Sequence, residues 1–102
     1  MPIEYEIFAE PSTFEEFLVH KDIVVIVKER PLSYNLPRYY AYATGVEIKE
    51  GSILISIHGN GNTQEEALQE LKRELAGGKL LVKNAYKSDR EEFYTPNEWS
   101  EK

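Results

Sequence analysis

The chain alternates between two rhythms of apolar spacing, and their order suggests the fold. At the start, Ile3, Tyr5 and Ile7 alternate with Glu4, Glu6 and Phe8, the period of a strand with one buried face. Pro11 closes that segment. Ser12 then stands three residues before Glu15, the spacing of a capping box, and Phe14, Phe17 and Leu18 share one helical face. A short helix of about two turns is expected, ending near His20 or Lys21. From Asp22 to Glu29 runs the β-branched block Ile23-Val24-Val25-Ile26-Val27, apolar on both faces, which reads as a central buried strand.

The stretch from Arg30 to Pro37 has two prolines and no period, so it is a loop. Arg38 to Lys49 resumes as a strand, with Tyr40 and Tyr42 on one face and Tyr39, Ala41 and Ala43 on the other. Gly45 interrupts the alternation and is expected to mark a bulge. Gly51 supplies a tight turn to a second strand, Ile53 to His58, with Ile53, Ile55 and Ile57 facing inward. Gly59-Asn60-Gly61-Asn62 then breaks the strand, and Thr63 with Glu66 opens a helix whose stripe is Ala67, Leu68, Leu71 and Leu75. Gly77-Gly78 stops it, and Lys79 to Lys83 is a last strand.

The expected class is therefore α+β: an antiparallel sheet with the order β-α-β-β-β-α-β and helices packed on one face. Residues 1–86 form one domain in this reading, and residues 87–102 a polar and aromatic C-terminal extension. Phe93, Tyr94 and Trp99 stand out in that extension, and such rings either fold back on the sheet or dock on a partner.

Composition narrows the function. The sequence has 102 residues, 41% of them apolar and 29% charged, an ordinary mixture for one domain. It has no Cys, which excludes disulfides, thiolate nucleophiles and Cys-based zinc sites and fits a reducing cytoplasm. The first residues lack the basic and apolar regions of a signal peptide, and no apolar run is long enough to span a bilayer. The formal net charge of −6 disfavours a general nucleic-acid backbone binder and favours a basic protein surface as partner. An open sheet edge would also admit a homodimer.

No catalytic set, metal-ligand spacing or cofactor motif is evident, so no enzyme, metal or cofactor is expected. The two histidines, His20 and His58, read as structural. Two binding candidates remain. The tyrosines Tyr34, Tyr39, Tyr40 and Tyr42 crowd around the loop with Arg30 and Arg38. Aromatic rings beside arginines suit a protein contact or stacking on nucleic-acid bases, so the expected contact set is Arg30, Tyr34, Arg38, Tyr39, Phe93, Tyr94 and Trp99. The second candidate is Gly59, Asn60, Gly61 and Asn62, which precede a helix N-terminus where backbone N–H groups can hold an anion.

The run Tyr39-Tyr40-Ala41-Tyr42, followed by Gly61-Asn62-Thr63-Gln64-Glu65-Glu66-Ala67-Leu68-Gln69-Glu70-Leu71, resembles the HicB-type antitoxin domain. That resemblance implies a small sheet with helices on one face and an antitoxin role. Across a wider span, Tyr40-Ala41-Tyr42, Gly59 to Thr63, Glu66-Ala67, Gly78 to Val82 and Asn84-Ala85-Tyr86 are similar to small accessory proteins of tailed phages and prophages. This likeness implies a bacterial host cytoplasm and a protein that binds and blocks a host factor, for example a defence nuclease. The functional expectation is a non-enzymatic accessory protein with a macromolecular partner, with an antitoxin module or a single-stranded nucleic-acid binder as alternatives.

Overall fold

A long, bent strand organises the sheet, and everything else is arranged around it. The computed structural model describes residues 12–32 and 35–100. Its elements are α1 (Phe14–Lys21), β1 (Val25–Glu29), β2 (Tyr39–Glu50), β3 (Ile53–Gly61), α2 (Gln64–Glu74), β4 (Leu80–Lys83) and β5 (Glu91–Tyr94). The mixed class and antiparallel pairing agree with the expectation. The expected first strand, residues 3–8, lies outside the described residues.

β3 pairs antiparallel along one edge of β2. The opposite edge is shared end to end by two strands: β1 takes Tyr39 to Ala43, and β4 takes Val46 to Ile48. β5 then pairs with the far edge of β4. The division falls where β2 bulges. Between the pairs Tyr42–His58 and Glu47–Ser56, β2 carries Ala43, Thr44, Gly45 and Val46, while β3 carries Ile57 alone. Gly45 adopts φ 72°, a left-handed conformation that glycine takes without steric cost, as expected of a bulge. The seam is closed by backbone. The Thr44 N–H donates to the Val24 carbonyl at 2.9 Å, and the Asn84 N–H donates to the Gly45 carbonyl at 3.0 Å.

Both helices cover one face. Phe14 and Phe17 of α1, Ala67 and Leu71 of α2 and its C-cap Leu75 join Ala41, Ala43, Val46, Ile48 and Leu81 of the sheet in one core cluster. α2 approaches β3 closely because the strand has glycines beneath it. A Cβ on Gly59 would lie 2.4 Å from the Leu71 backbone nitrogen, and one on Gly61 would lie 2.5 Å from that of Ala67. These two glycines therefore serve helix packing within an extended strand, and β3 continues through Gly61 rather than ending at His58.

Four further expectations are corrected. The N-cap of α1 is Thr13 rather than Ser12: its hydroxyl accepts from the Glu16 N–H at 3.0 Å, and the Glu16 carboxylate accepts from the Thr13 N–H at 3.0 Å. β1 is not central. Its only partner among the described residues is β2, and Val24 just before it is 57% exposed. Ile57 is buried as expected, but Ile53 and Ile55 are exposed because they lie on the β2–β3 hairpin arm, away from Gly59 and Gly61 where α2 packs. The boundary at residue 86 falls inside the fold. Residues beyond it supply β5 and Trp99, whose indole packs 5.3 Å from both Phe14 and Phe17. No helix among the described residues is long and apolar enough to cross a membrane.

Candidate functional site

With both helices on one side, the alternation of β2 sends Tyr40 and Tyr42 to the other. Their rings are 6.1 Å apart and nearly parallel, at 18°. The i, i+2 spacing on a strand produces this alignment, since both side chains stand up from the same face. Arg30 extends the row. Its backbone N–H donates to the Arg38 carbonyl, which sets it two positions before Tyr40, and its guanidinium lies 4.6 Å from the Tyr40 ring centre. The guanidinium is fixed by two further hydrogen bonds, to the Pro37 carbonyl at 2.8 Å and the Asn60 Oδ1 at 2.7 Å. The result is a row along the sheet: guanidinium, phenol, phenol.

Beyond Tyr42 the row meets the bulge. There a groove of about 830 Å³ opens, floored by the irregular backbone from Ala43 to Val46. His58, the cross-strand partner of Tyr42, stands on one side with Ser56 and Glu47. The β4–β5 connection forms the other side through Asn84, Tyr86 and Lys87. Asn84 takes φ 57°, which ends β4 and turns the chain to present Tyr86. Tyr86 is 90% exposed, the largest exposed fraction among the big apolar side chains described.

The charges are sorted by face. The helix-free side holds Lys28, Arg30, Lys49, Lys87 and Arg90 against Glu47 and Glu92, with Asp89 bonded to Asn84 of the groove wall at 3.1 Å. Glu92 is engaged by Arg90 at 2.7 Å and Lys49 at 3.5 Å. Hydrogen bonding from Arg90 is the main cause that holds the Glu92 carboxyl below its ordinary value. The acids that make the chain negative gather elsewhere, as in the Glu15–Glu16 and Glu65–Glu66 first turns of the two helices.

The structure separates the residues that the sequence grouped. Arg30 belongs to the row, together with Tyr40 and Tyr42. Arg38 does not: its Nε donates to Glu29 at 2.6 Å, and that hydrogen bond raises its guanidinium above the ordinary value. Tyr39 faces the helix side and packs against the core. Phe93 and Trp99 also turn inward. Phe93 lies 6.0 Å from Phe17, under the Lys21 ammonium at 4.7 Å, so these two rings fold back rather than offer a free contact surface. Tyr94 shares the helix-free face and is 67% exposed, but it is outside the groove lining. Tyr34 lies outside the described residues.

The segment Gly59 to Asn62 does not form an open anion-binding turn. The Asn60 N–H donates to the Glu70 carboxylate at 2.6 Å, and the Asn62 N–H donates to the Glu66 carboxylate at 2.8 Å. Carboxylates of α2 already occupy the two amides that an anion would need, and they repel a second negative charge. Sequence reasoning missed Tyr86, Lys87 and His58 as groove residues. An asparagine after a short strand was the available signal for a turn at 84. No protein-family model matches this chain, and neither a curated protein nor a solved structure matches it.

Proposed function

We propose that the chain is a non-enzymatic binding module that holds a macromolecular partner against the helix-free face of its sheet. The observation that carries this reading is the one-sided layering. Among the described residues, both helices and Trp99 cover one face, and no helix covers the Arg30–Tyr40–Tyr42 row and the groove beside it on the other. Ordered rings and arginine on an uncovered surface are the residue types that dominate binding energy at interfaces. The row is also held before any partner arrives, since Arg30 is pinned by Pro37 and Asn60. Preorganisation of this kind lowers the entropic cost of association.

The reading carries over the expectation of an accessory protein that acts by binding. It does not depend on the antitoxin or phage resemblance. The test is affinity capture from bacterial lysate with the tagged full chain, with and without nuclease. It compares the wild type with a Tyr86→Ala, Lys87→Glu variant of the open face and with a Glu65→Gln, Gln69→Ala variant of α2. A partner lost by the first variant and kept by the second supports the proposal. A partner lost only by the α2 variant moves the binding surface to the helices and overturns it.

A further inference from the structure

The geometry points to single-stranded nucleic acid as the occupant of the groove beside Tyr42, with a base stacked on the Tyr42 ring and phosphates led by Lys28, Arg30 and Lys87. This inference rests on the reading of the helix-free face as the binding surface.

The first argument is the direction of the row. Arg30 is level with Arg38, so it flanks Tyr40 on the side away from Tyr42. Tyr42 in turn lies next to the bulge, and its outer side faces the groove. A flat ring placed there would continue a series that the protein has begun: guanidinium, phenol, phenol, base. Tyr86 rises from the other wall of the same groove as a second stacking surface. Base-on-aromatic stacking is tolerant of sequence because every base has a flat face. A protein partner would need complementary pockets, whereas this row offers parallel flat surfaces.

The second argument is charge. A net charge of −6 argues against nucleic acid only if it is spread evenly. It is not. Once Arg90 and Lys49 are set against Glu92, Arg30 and Lys87 line the groove and Lys28 stands beside Tyr40, against Glu47 in the lining and Asp89, which accepts from Asn84 at 3.1 Å. The acidic first turns of α1 and α2 belong to the layer on the other face. Duplex does not fit the stacking geometry, because its bases already stack on one another; an unpaired strand leaves its bases free. Glu47 on the His58 side of the groove repels phosphate there, and its carboxylate can accept from an amino group such as cytosine N4. The backbone would therefore run along the basic rim with bases pointing inward.

The test is fluorescence anisotropy of labelled single strands about ten nucleotides long, as RNA and as DNA, titrated with the full chain at about 50 mM salt. A duplex of the same length and free mononucleotides serve as competitors. Binding of single strands should exceed that of duplex and should resist mononucleotide. Its log-affinity should fall with log-salt at a slope of about −2, as three phosphate contacts give. Tyr86→Ala should weaken it roughly tenfold, and Tyr42→Phe should retain it. Because Tyr86 is exposed, its loss does not threaten the fold.

Equal affinity of the Tyr86→Ala protein and the wild type, or of duplex and single strand, overturns the inference. So does competition by mononucleotide at equal concentration, which would make the ligand a free nucleotide. If no strand binds but the open-face variant still loses a lysate protein, the nucleic-acid assignment falls and the binding face stands. If neither is seen, both fall together.

Discussion

Trp99 donates its indole N–H to the Lys72 carbonyl at 2.7 Å, joining the end of the described chain to the last turn of α2. The same ring packs against Phe14 and Phe17, so one side chain connects both helices. The Ser100 N–H then donates to the Ser12 carbonyl at 2.7 Å, which brings the two ends of the described chain together. Trp99→Ala should destabilise the protein by about 3 kcal/mol, the lower range for removing a large ring that is only half-buried. Trp99→Phe should recover about half of that, as it keeps the ring contacts and loses the hydrogen bond. Urea denaturation followed by far-ultraviolet circular dichroism measures both. A chain ended at residue 86 should fail to fold, and a cooperative transition in that truncation would contradict the role given to β5 and Trp99.

Gly59 and Gly61 are predicted to be the least replaceable positions of β3. The atoms that meet a new Cβ are backbone atoms of α2, at 2.4 Å and 2.5 Å, and backbone cannot turn aside as a side chain can. Gly59→Ala should therefore cost about 3 kcal/mol, a severe overpacking effect. Gly51→Ala gives the contrast. Its φ is 62° with open space around the new methyl, so only backbone strain remains, about 1 kcal/mol. Thermal denaturation of the two variants should show the larger drop for Gly59→Ala, although Gly51 is the glycine with unusual backbone.

That contrast also explains which parts of the fold were legible in the sequence. Gly45 and Gly51 act through their own backbone, and the Thr63 hydroxyl caps an amide only three residues on, so neighbouring residues reveal them. Gly59 and Gly61 act through a helix that packs on them, and a local reading takes them for a turn. The sharing of one β2 edge by β1 and β4 is set by a bulge whose partners are distant in sequence. Tyr40 and Tyr42 could be put on one face from their alternation. The groove could not be read, because its second wall comes from Tyr86 and Lys87 across the sheet.

The α1 cap provides a test that separates adjacent residues. Thr13→Ala removes the hydroxyl that accepts from the Glu16 N–H and should cost about 1 kcal/mol. Ser12 is 4% exposed, and its hydroxyl finds no hydrogen-bond partner among the described residues. Ser12→Ala should then be neutral or slightly stabilising, since it removes a buried unsatisfied group. Denaturation midpoints in the opposite order would return the cap to Ser12.

Glu92 gives an expectation for pH. Its carboxyl is held below the ordinary glutamate value, first by the hydrogen bond from Arg90 and then by the charges of Lys49 and Arg90, against partial desolvation. A folded value below the unfolded one means the native state binds its proton less readily. The stabilisation is present above the unfolded value and is lost as pH falls through the folded value. In Arg90→Ala the Glu92 side-chain titration, followed by NMR, should move upward toward the ordinary value. An unchanged midpoint would assign the depression to Lys49 instead.

Arg30→Lys tests whether the row depends on the shape of its first member or only on its charge. The guanidinium uses one nitrogen for the Pro37 carbonyl and another for Asn60, with its carbon 4.6 Å from the Tyr40 ring centre. An ammonium is a point charge that cannot fill both hydrogen bonds and stack. The substitution should cost about 1–2 kcal/mol, the sum expected for a weakened cation–π contact and one lost charged hydrogen bond. Hydrogen exchange should rise at the Arg30 amide, which the Arg38 carbonyl now protects at 2.6 Å. If stability and exchange both match the wild type, charge alone suffices, and the row is not the preorganised surface that the binding proposal requires.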